Sequence, residues 1–191
     1  DRVLRGLASA SAAGFERIKL NAVILRGQNE DDVLPLVRYA LAQGFDLSFI
    51  EEMPLGVVDS HDRAQAYYSS DEIARDIRSV YPLESVMESS GGPARYFRIP
   101  GHASRIGFIS PHSHNFCGDC NRVRLTAEGR LLLCLGNEHS VDLRAVLRES
   151  AMDADRAMAA IVAAMAIKPE RHEFVLGEQP VILRHMNRTG G

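Results

Sequence analysis

Apolar positions along the chain switch between a helical period and a strand period several times. Val3, Leu4, Leu7 and Ala8 recur at helical spacing, with Gly14 placed as a stop. Residues 18–25 (IKLNAVIL) read as a buried strand, aliphatic after one polar pair. Asn29 is placed as an N-cap, and acidic Glu30, Asp31 and Asp32 suit the positive end of a helix that runs to Gln43 and stops at Gly44. Pro35 fits only in the first turn of that helix. Leu47 to Glu51 predicts a second strand, ended by Pro54-Leu55-Gly56, and Ser69-x-x-Glu72 predicts a capping box for a helix that reaches about Val80.

This alternation predicts an α/β fold with parallel strands. Two parallel strands cannot form a sheet covered on both faces, so further strands are expected before residue 1. The opening residue is Asp1, and a helix begins there with no cap; the chain therefore reads as a fragment. Residues 89–93 (SSGGP) read as a linker. After it come short strands at 95–99, 105–109, 123–126 and 131–134, with a hairpin turn at Ala127-Glu128-Gly129, then helices at 143–149 and 154–167. The expected organisation is residues 1–89 as an α/β part with parallel strands and residues 94–191 as an α+β domain.

Bulk composition narrows the class. The 191 residues are 46% hydrophobic and 25% charged, which is ordinary for a globular chain. A net charge of −3 excludes a globally basic nucleic-acid binder. The longest apolar run, 157–167, is too short to cross a bilayer. Three clustered cysteines do not make a disulfide framework, so a reducing cytoplasm is expected.

Those cysteines carry the strongest chemical signal. Cys117, Cys120 and Cys134 follow C-x2-C-x13-C, and the chain has no others. A close thiol pair with a third donor from a following strand can grip one metal centre and leave a position open. Iron–sulfur ligation, zinc ligation and three inert buried thiols are all compatible with the spacing. Zinc would need a fourth ligand, for which His139, His112 and His114 are at hand. Arg122 and Arg124 follow at once. Two residues apart in a strand, they would share a face with Thr126, leaving Val123 and Leu125 opposite. Paired guanidiniums suit phosphate oxygens, although a solvated strand face has the same pattern. Lys19 and Asn21 share one face of the first strand by the same period and could line a barrel interior, or simply start the strand near water. Glu51, Glu52 and Met53 lie at a strand's C-terminal end, where barrel sites gather. Gly190-Gly191 ends the chain as a thin, anionic probe or as a frayed tail.

Taken together, the motifs bring out a resemblance. Phe116 to Gly129 (FCGDCNRVRLTAEG) with Cys134-Leu135 closely resembles the cluster motif of the GTP 3′,8-cyclase family, radical-SAM enzymes of the first step of molybdenum cofactor biosynthesis. Lys19 to Val23 with Gly27 and Asn29, Phe49 to Pro54 with Gly56, Gly107 to Ser110, Lys168-Pro169 with His172, Met186 and the diglycine end are similar to further parts of that family, so the likeness covers nearly the whole chain.

The resemblance implies the C-terminal part of an incomplete (β/α)6 radical-SAM barrel followed by an α+β cluster-binding domain. It implies a [4Fe–4S] cluster on Cys117, Cys120 and Cys134 whose open iron binds guanine. It implies GTP contacts from Lys19, Arg122, Val123 (through its backbone) and Arg124, S-adenosylmethionine (SAM) contacts from Met53 and Asn21, and a catalytic supporting role for Gly190 and Gly191. In the complete enzyme a second [4Fe–4S] cluster on a CxxxCxxC loop cleaves SAM to a radical that takes hydrogen from C3′ of GTP, and the sugar then attacks C8 of guanine. Implied partners are GTP, SAM and the downstream protein that forms the cyclic pyranopterin, with a homodimer left open and neither nucleic acid nor membrane involved.

Some positions depart from the pattern. No CxxxCxxC occurs in this chain, so it is not expected to turn over alone. Ser48 stands where many members have arginine, and Thr189 where isoleucine is usual. Two rival readings remain: another radical-SAM enzyme with an auxiliary cluster, such as one acting on peptides, and a non-catalytic Cys3His zinc module.

Overall fold

A computed structural model of the chain describes residues 2–87, 91–149, 153–178 and 182–186. The chain divides into two compact units, one of Asp1–Glu52 and Ala66–His114, the other of Met53–Gln65 and Asn115–Gly191. The expected boundary at 89–94 is corrected by this division. Strands after the glycine-rich segment pair directly onto strands before it, so the first unit's sheet runs across the predicted linker.

In the first unit, α1 (Arg2–Ala12) precedes β1 (Lys19–Val23), α2 (Val33–Gln43) and β2 (Asp46–Ile50). After the short α3 (Arg63–Ala66) come α4 (Ser70–Arg78), β3 (Glu84–Ser85), β4 (Arg95–Arg98) and β5 (Arg105–Ile109). The sheet order is β1-β2-β5-β4-β3. The β1–β2 and β2–β5 pairs are parallel, whereas β4 pairs antiparallel with both β5 and β3. The sheet is thus mixed rather than purely parallel, because the short β3–β4–β5 connections return the chain by hairpin-like reversals instead of helical crossovers. Within this chain β1, expected to be buried, is the outermost strand of the sheet, and its Lys19, Asn21 and Val23 are exposed.

Helix boundaries follow local chemistry. Gly44 closes α2 in the left-handed conformation at φ 70°, where a side chain would be strained. Ser69 and Glu72 make the reciprocal capping box of α4, as its sequence predicts. Asn29 does not cap through its side chain. Its Oδ1 accepts from the Leu25 N–H at 2.7 Å and its amide donates to the Val23 carbonyl at 3.1 Å, which ties a turn instead.

The two faces of the sheet differ chemically. One carries Leu47, Phe49, Ile106 and Phe108, all buried, and packs with Val33, Val37 and Ala40 of α2 and Ile73, Ala74 and Ile77 of α4. Strand alternation puts Lys19, Asn21, Asp46, Ser48, Arg105, Gly107 and Tyr96 on the other. There Arg105 grips the Asp46 carboxylate through Nε at 3.1 Å and Nη2 at 2.7 Å, and its backbone N–H donates to the other oxygen at 2.9 Å. Burial pushes the Asp46 carboxyl up, but these bonds and charges outweigh it and its pKa falls below the ordinary value.

The carboxylate of Glu51, just after β2, is fully buried. It accepts from the N–H groups of Ser70 (2.9 Å), His112 (2.9 Å) and Ser113 (3.1 Å), and from the Ser113 hydroxyl. Desolvation alone would raise its pKa, yet the hydrogen bonds from Ser113, Ser70 and His112 prevail and hold it below the usual value. One side chain thereby joins the end of β2, the first turn of α4 and the loop after β5.

Because the folded pKa of Glu51 lies below its unfolded one, the stability it contributes is present above about pH 4.5 and is lost as pH falls through the folded value. Glu51→Gln should therefore lower stability at neutral pH by about 3 kcal/mol and flatten the acid limb of a urea-denaturation profile taken from pH 7 to pH 3. An unchanged acid limb would contradict this role.

Candidate metal centre

In the second unit, β6 (Arg124–Leu125), β7 (Arg130–Leu132) and β8 (Ser140–Asp142) form an antiparallel sheet in that order, followed by α5 (Leu143–Glu149) and α6 (Ala154–Ala166). Leu131, Leu133, Leu143 and Ala164 make its small core. The cysteines flank the open end of the β6–β7 hairpin. Cys117 and Cys120 lie on a 3-10 turn ahead of β6, and Cys134 comes two residues after β7.

Local bonds shape the first pair. The Cys120 N–H donates to the Cys117 carbonyl at 3.1 Å, and the Asn115 side chain accepts from the Cys117 N–H at 2.8 Å. The amide of Asn115 meets Nε2 of His172 at 3.0 Å, and the His172 ring lies 4.5 Å from that of Phe174. At the third cysteine, Gly136 packs so closely that a Cβ there would fall 2.6 Å from His172 Cβ and 2.7 Å from Phe174 Cζ. The Glu173 N–H donates to the Gly136 carbonyl at 3.0 Å, and the Asn137 amide to the Glu173 carboxylate at 2.6 Å. The tail segment at 172–174 thus braces both cysteine-bearing loops.

All three thiols are free and half-buried. They lie near enough for charge on Cys117 and Cys120 to act on Cys134. Burial pushes the Cys134 thiol up and its two neighbours add to the rise, against the Gly136 N–H and the Lys168 ammonium. Cys120 goes the other way. Burial raises it, but the Arg122 N–H, the Lys168 charge and the Arg122 guanidinium bring it below the ordinary value. Lys168 is fixed for this by its bond to the Leu133 carbonyl at 2.8 Å. Arg122 Nη2 stands 4.0 Å from the Cys120 sulfur, with its guanidinium 5.3 Å from the centre of the Phe116 ring.

As donors, then, the thiols fit an iron–sulfur cluster or zinc. They are accessible, unlinked and close to two cations. They do not converge as a finished centre, since among the described residues no group of three or more His, Cys, Asp or Glu is placed to hold a metal ion. Of the histidines weighed as a fourth zinc ligand, His112 meets the Glu52 carbonyl at 2.9 Å and His114 pairs with Asp71 at 2.8 Å, both within the first unit.

The remaining sequence-predicted residues fall as follows. Arg124 is half-buried in β6, whereas Arg122 and Val123 are exposed and precede it. The expected strand face shared by Arg122, Arg124 and Thr126 is corrected accordingly, because pairing with β7 begins only at Arg124. Lys19 and Asn21 belong to the first unit. The Lys19 ammonium donates to the Tyr96 hydroxyl at 3.0 Å. Ser48 is fully buried beside Gly107 and Tyr96, and its hydroxyl has no hydrogen-bond partner among the described residues. Met53 is half-buried after β2. Gly190, Gly191 and Thr189 lie outside the described residues.

Sequence reasoning did not single out Asn115, Gly136 or Phe174, and gave Lys168 and His172 no role at the cysteines. Asn115 two residues before Cys117 was the one local signal, since asparagine commonly caps the backbone two residues on. The rest arises from long-range packing. The brace makes a sharp expectation: Gly136→Ala should cost about 1–3 kcal/mol in a thermal or urea melt, because the new Cβ would fall inside contact distance of His172 Cβ, an atom fixed to the backbone, and of the Phe174 ring. A neutral result would remove the brace from the account.

Residues 45–174 match the family described as Molybdenum Cofactor Synthesis C. The chain is 56% identical over 191 residues to GTP 3′,8-cyclase 2 of Pseudomonas aeruginosa, an alignment covering all of this chain and 58% of that protein. It is 54% identical over 189 residues to a GTP 3′,8-cyclase of Saccharophagus degradans, covering 99% of this chain and 57% of that one. With the GTP 3′,8-cyclase of Marinobacter nauticus the identity is 54% over 190 residues, covering all of this chain and 58% of the relative. The chain thus spans somewhat under three fifths of the length of these curated relatives. On the match of 130 consecutive positions, 45 to 174, and on full-length alignment at more than half identity, the chain belongs to the Molybdenum Cofactor Synthesis C family and is a relative of the GTP 3′,8-cyclases.

Proposed function

We propose that this chain supplies the cluster-holding and nucleotide-binding part of an enzyme that converts GTP to 3′,8-cyclo-7,8-dihydroguanosine 5′-triphosphate in molybdenum cofactor synthesis. The observation that carries the reading is one neighbourhood holding three thiols with Lys168 and Arg122 beside them. Cys117, Cys120 and Cys134 would be the ligands of a [4Fe–4S] cluster. When bound, such a group with three protein thiolates supplies an iron free to take a further ligand, here an atom of guanine.

The rest falls to residues of the chain. GTP carries about four negative charges, which must be offset by fixed cations. Arg122 and Arg124 offer planar forks of N–H donors that stay charged at every relevant pH, and the Val123 backbone N–H adds a neutral donor. The Phe116 ring gives the Arg122 guanidinium an apolar and electrostatic support from beneath. In the first unit, Tyr96 orients the Lys19 ammonium, for which a phosphate contact is proposed on sequence resemblance alone. Asn21 and Met53 are proposed on the same basis for SAM, and Gly190-Gly191 for support of the chemistry. None of these side chains needs to donate or accept a proton at the reacting carbons. Their contribution is to hold the nucleotide in one pose, which by itself can supply a large part of a barrier reduction.

The test uses the anaerobically reconstituted chain. GTP should perturb the electron paramagnetic resonance signal of the reduced cluster. Arg124→Ala should weaken nucleotide affinity by about tenfold or more, the loss expected for a charge-assisted contact, with iron and sulfide content unchanged. Unaltered affinity in that variant, or a cluster signal indifferent to GTP, would overturn the nucleotide assignment.

A further inference from the structure

A second polar feature lies at the opposite end of the β6–β7 hairpin from the cysteines. The turn Ala127-Glu128-Gly129 and the start of α5 enclose a cleft of about 430 Å³ lined by Glu128, Arg130, Asp142, Arg144, Ala145 and Arg148. Three guanidiniums therefore border one opening, and nothing in the nucleotide reading uses them.

The cleft is built by the backbone. Gly129 holds φ 81°, which any side chain would strain, and a Cβ there would fall 2.6 Å from Arg144 Cβ. The Arg144 N–H donates to the Gly129 carbonyl at 3.1 Å, so turn and helix are tied directly. Arg144 and Arg148 stand one helical turn apart, a spacing that brings side chains to the same face of α5.

Among the described residues, only Asp142 of the two carboxylates at the cleft pairs with an arginine, and that arginine is Arg130. Asp142 Oδ1 accepts the Ala145 N–H at 2.9 Å, and Oδ2 lies 3.8 Å from Arg130 Nη1. Arg130 also donates to the Ser140 hydroxyl, at 2.7 Å from Nη2 and 3.3 Å from Nε. The guanidiniums of Arg144 and Arg148 have no hydrogen-bond or ion-pair partner among the described residues, and neither does the Glu128 carboxylate. Two uncommitted forks one turn apart, with a third cation beside them, offer more N–H donors than a single carboxylate can accept, and suit the several oxygens of a tetrahedral oxyanion.

We infer that this cleft is an anion site for a phosphate group, held by Arg144 and Arg148 with Arg130 behind them and limited in affinity by Glu128. The phosphate could be free or carried by a nucleotide.

The test is a titration of the chain with inorganic phosphate, followed through the arginine side-chain Nε–Hε signals and the Gly129 amide by nuclear magnetic resonance. Saturable shifts at Arg144, Arg148 and Gly129 are expected. The double variant Arg144→Gln/Arg148→Gln should weaken binding by about tenfold or more. Arg148→Gln alone, which leaves the Gly129 packing untouched, should weaken it in part, and Glu128→Gln should tighten it. Arg122→Gln should leave the phosphate titration unchanged, which separates this site from the nucleotide reading. Displacement of phosphate by GTP would identify a nucleotide's phosphate as the occupant, and failure of GTP to displace it would identify the free ion. Shifts that rise linearly without saturation, or that are the same in wild type and double variant, or that appear only at Arg122 and Arg124, would overturn the proposal.

Discussion

Three thiolates cannot share one small volume without positive charge close by. Each ionised sulfur raises the energy of the next, and partial burial compounds the penalty. The second unit meets this constraint with Lys168, pinned to the Leu133 carbonyl, with Arg122, seated on the Phe116 ring, and with backbone N–H groups aimed at Cys120 and Cys134. The two shifts run in opposite directions for this reason. Cys120 stands beside both cations and falls, whereas Cys134 is more enclosed, feels its two sister thiols and rises. A metal centre resolves the residual repulsion by placing positive charge among the sulfurs.

The same logic of a charge stabilised by fixed donors recurs in the first unit. Glu51 is buried with a full set of N–H and O–H partners, and Asp46 with an arginine that gives one of its oxygens two guanidinium N–H groups. Such groups stabilise only when fully satisfied, so they fix backbone positions closely. Glu51 does this for residues 112 and 113, the segment that leads by chain continuity into Asn115 and the first cysteine. Both units therefore place their polar chemistry by hydrogen-bonded anchors and not by apolar packing alone.

Much of the first unit was legible in the sequence because its signals are local. The capping box at Ser69 and Glu72, the stop at Gly44 and the strand at 46–50 depend on short-range propensities and side-chain periodicity. The domain boundary was not legible. A serine- and glycine-rich stretch looks like a linker whether or not the strands on either side later pair with each other. At the candidate metal centre, C-x2-C-x13-C was visible at once, but the electrostatic setting was not. Lys168 lies 34 residues beyond Cys134, and His172 and Phe174 reach the cysteine loops only through tertiary packing.

These features converge on a single claim, that Cys117, Cys120 and Cys134 hold iron and inorganic sulfide together. Elemental and sulfide analysis of the anaerobically reconstituted chain, set against its Cys134→Ser variant, tests it most directly. The account predicts about four irons and about four sulfides per wild-type chain, with both falling together in the variant. One zinc per chain, or iron without acid-labile sulfide, would contradict it.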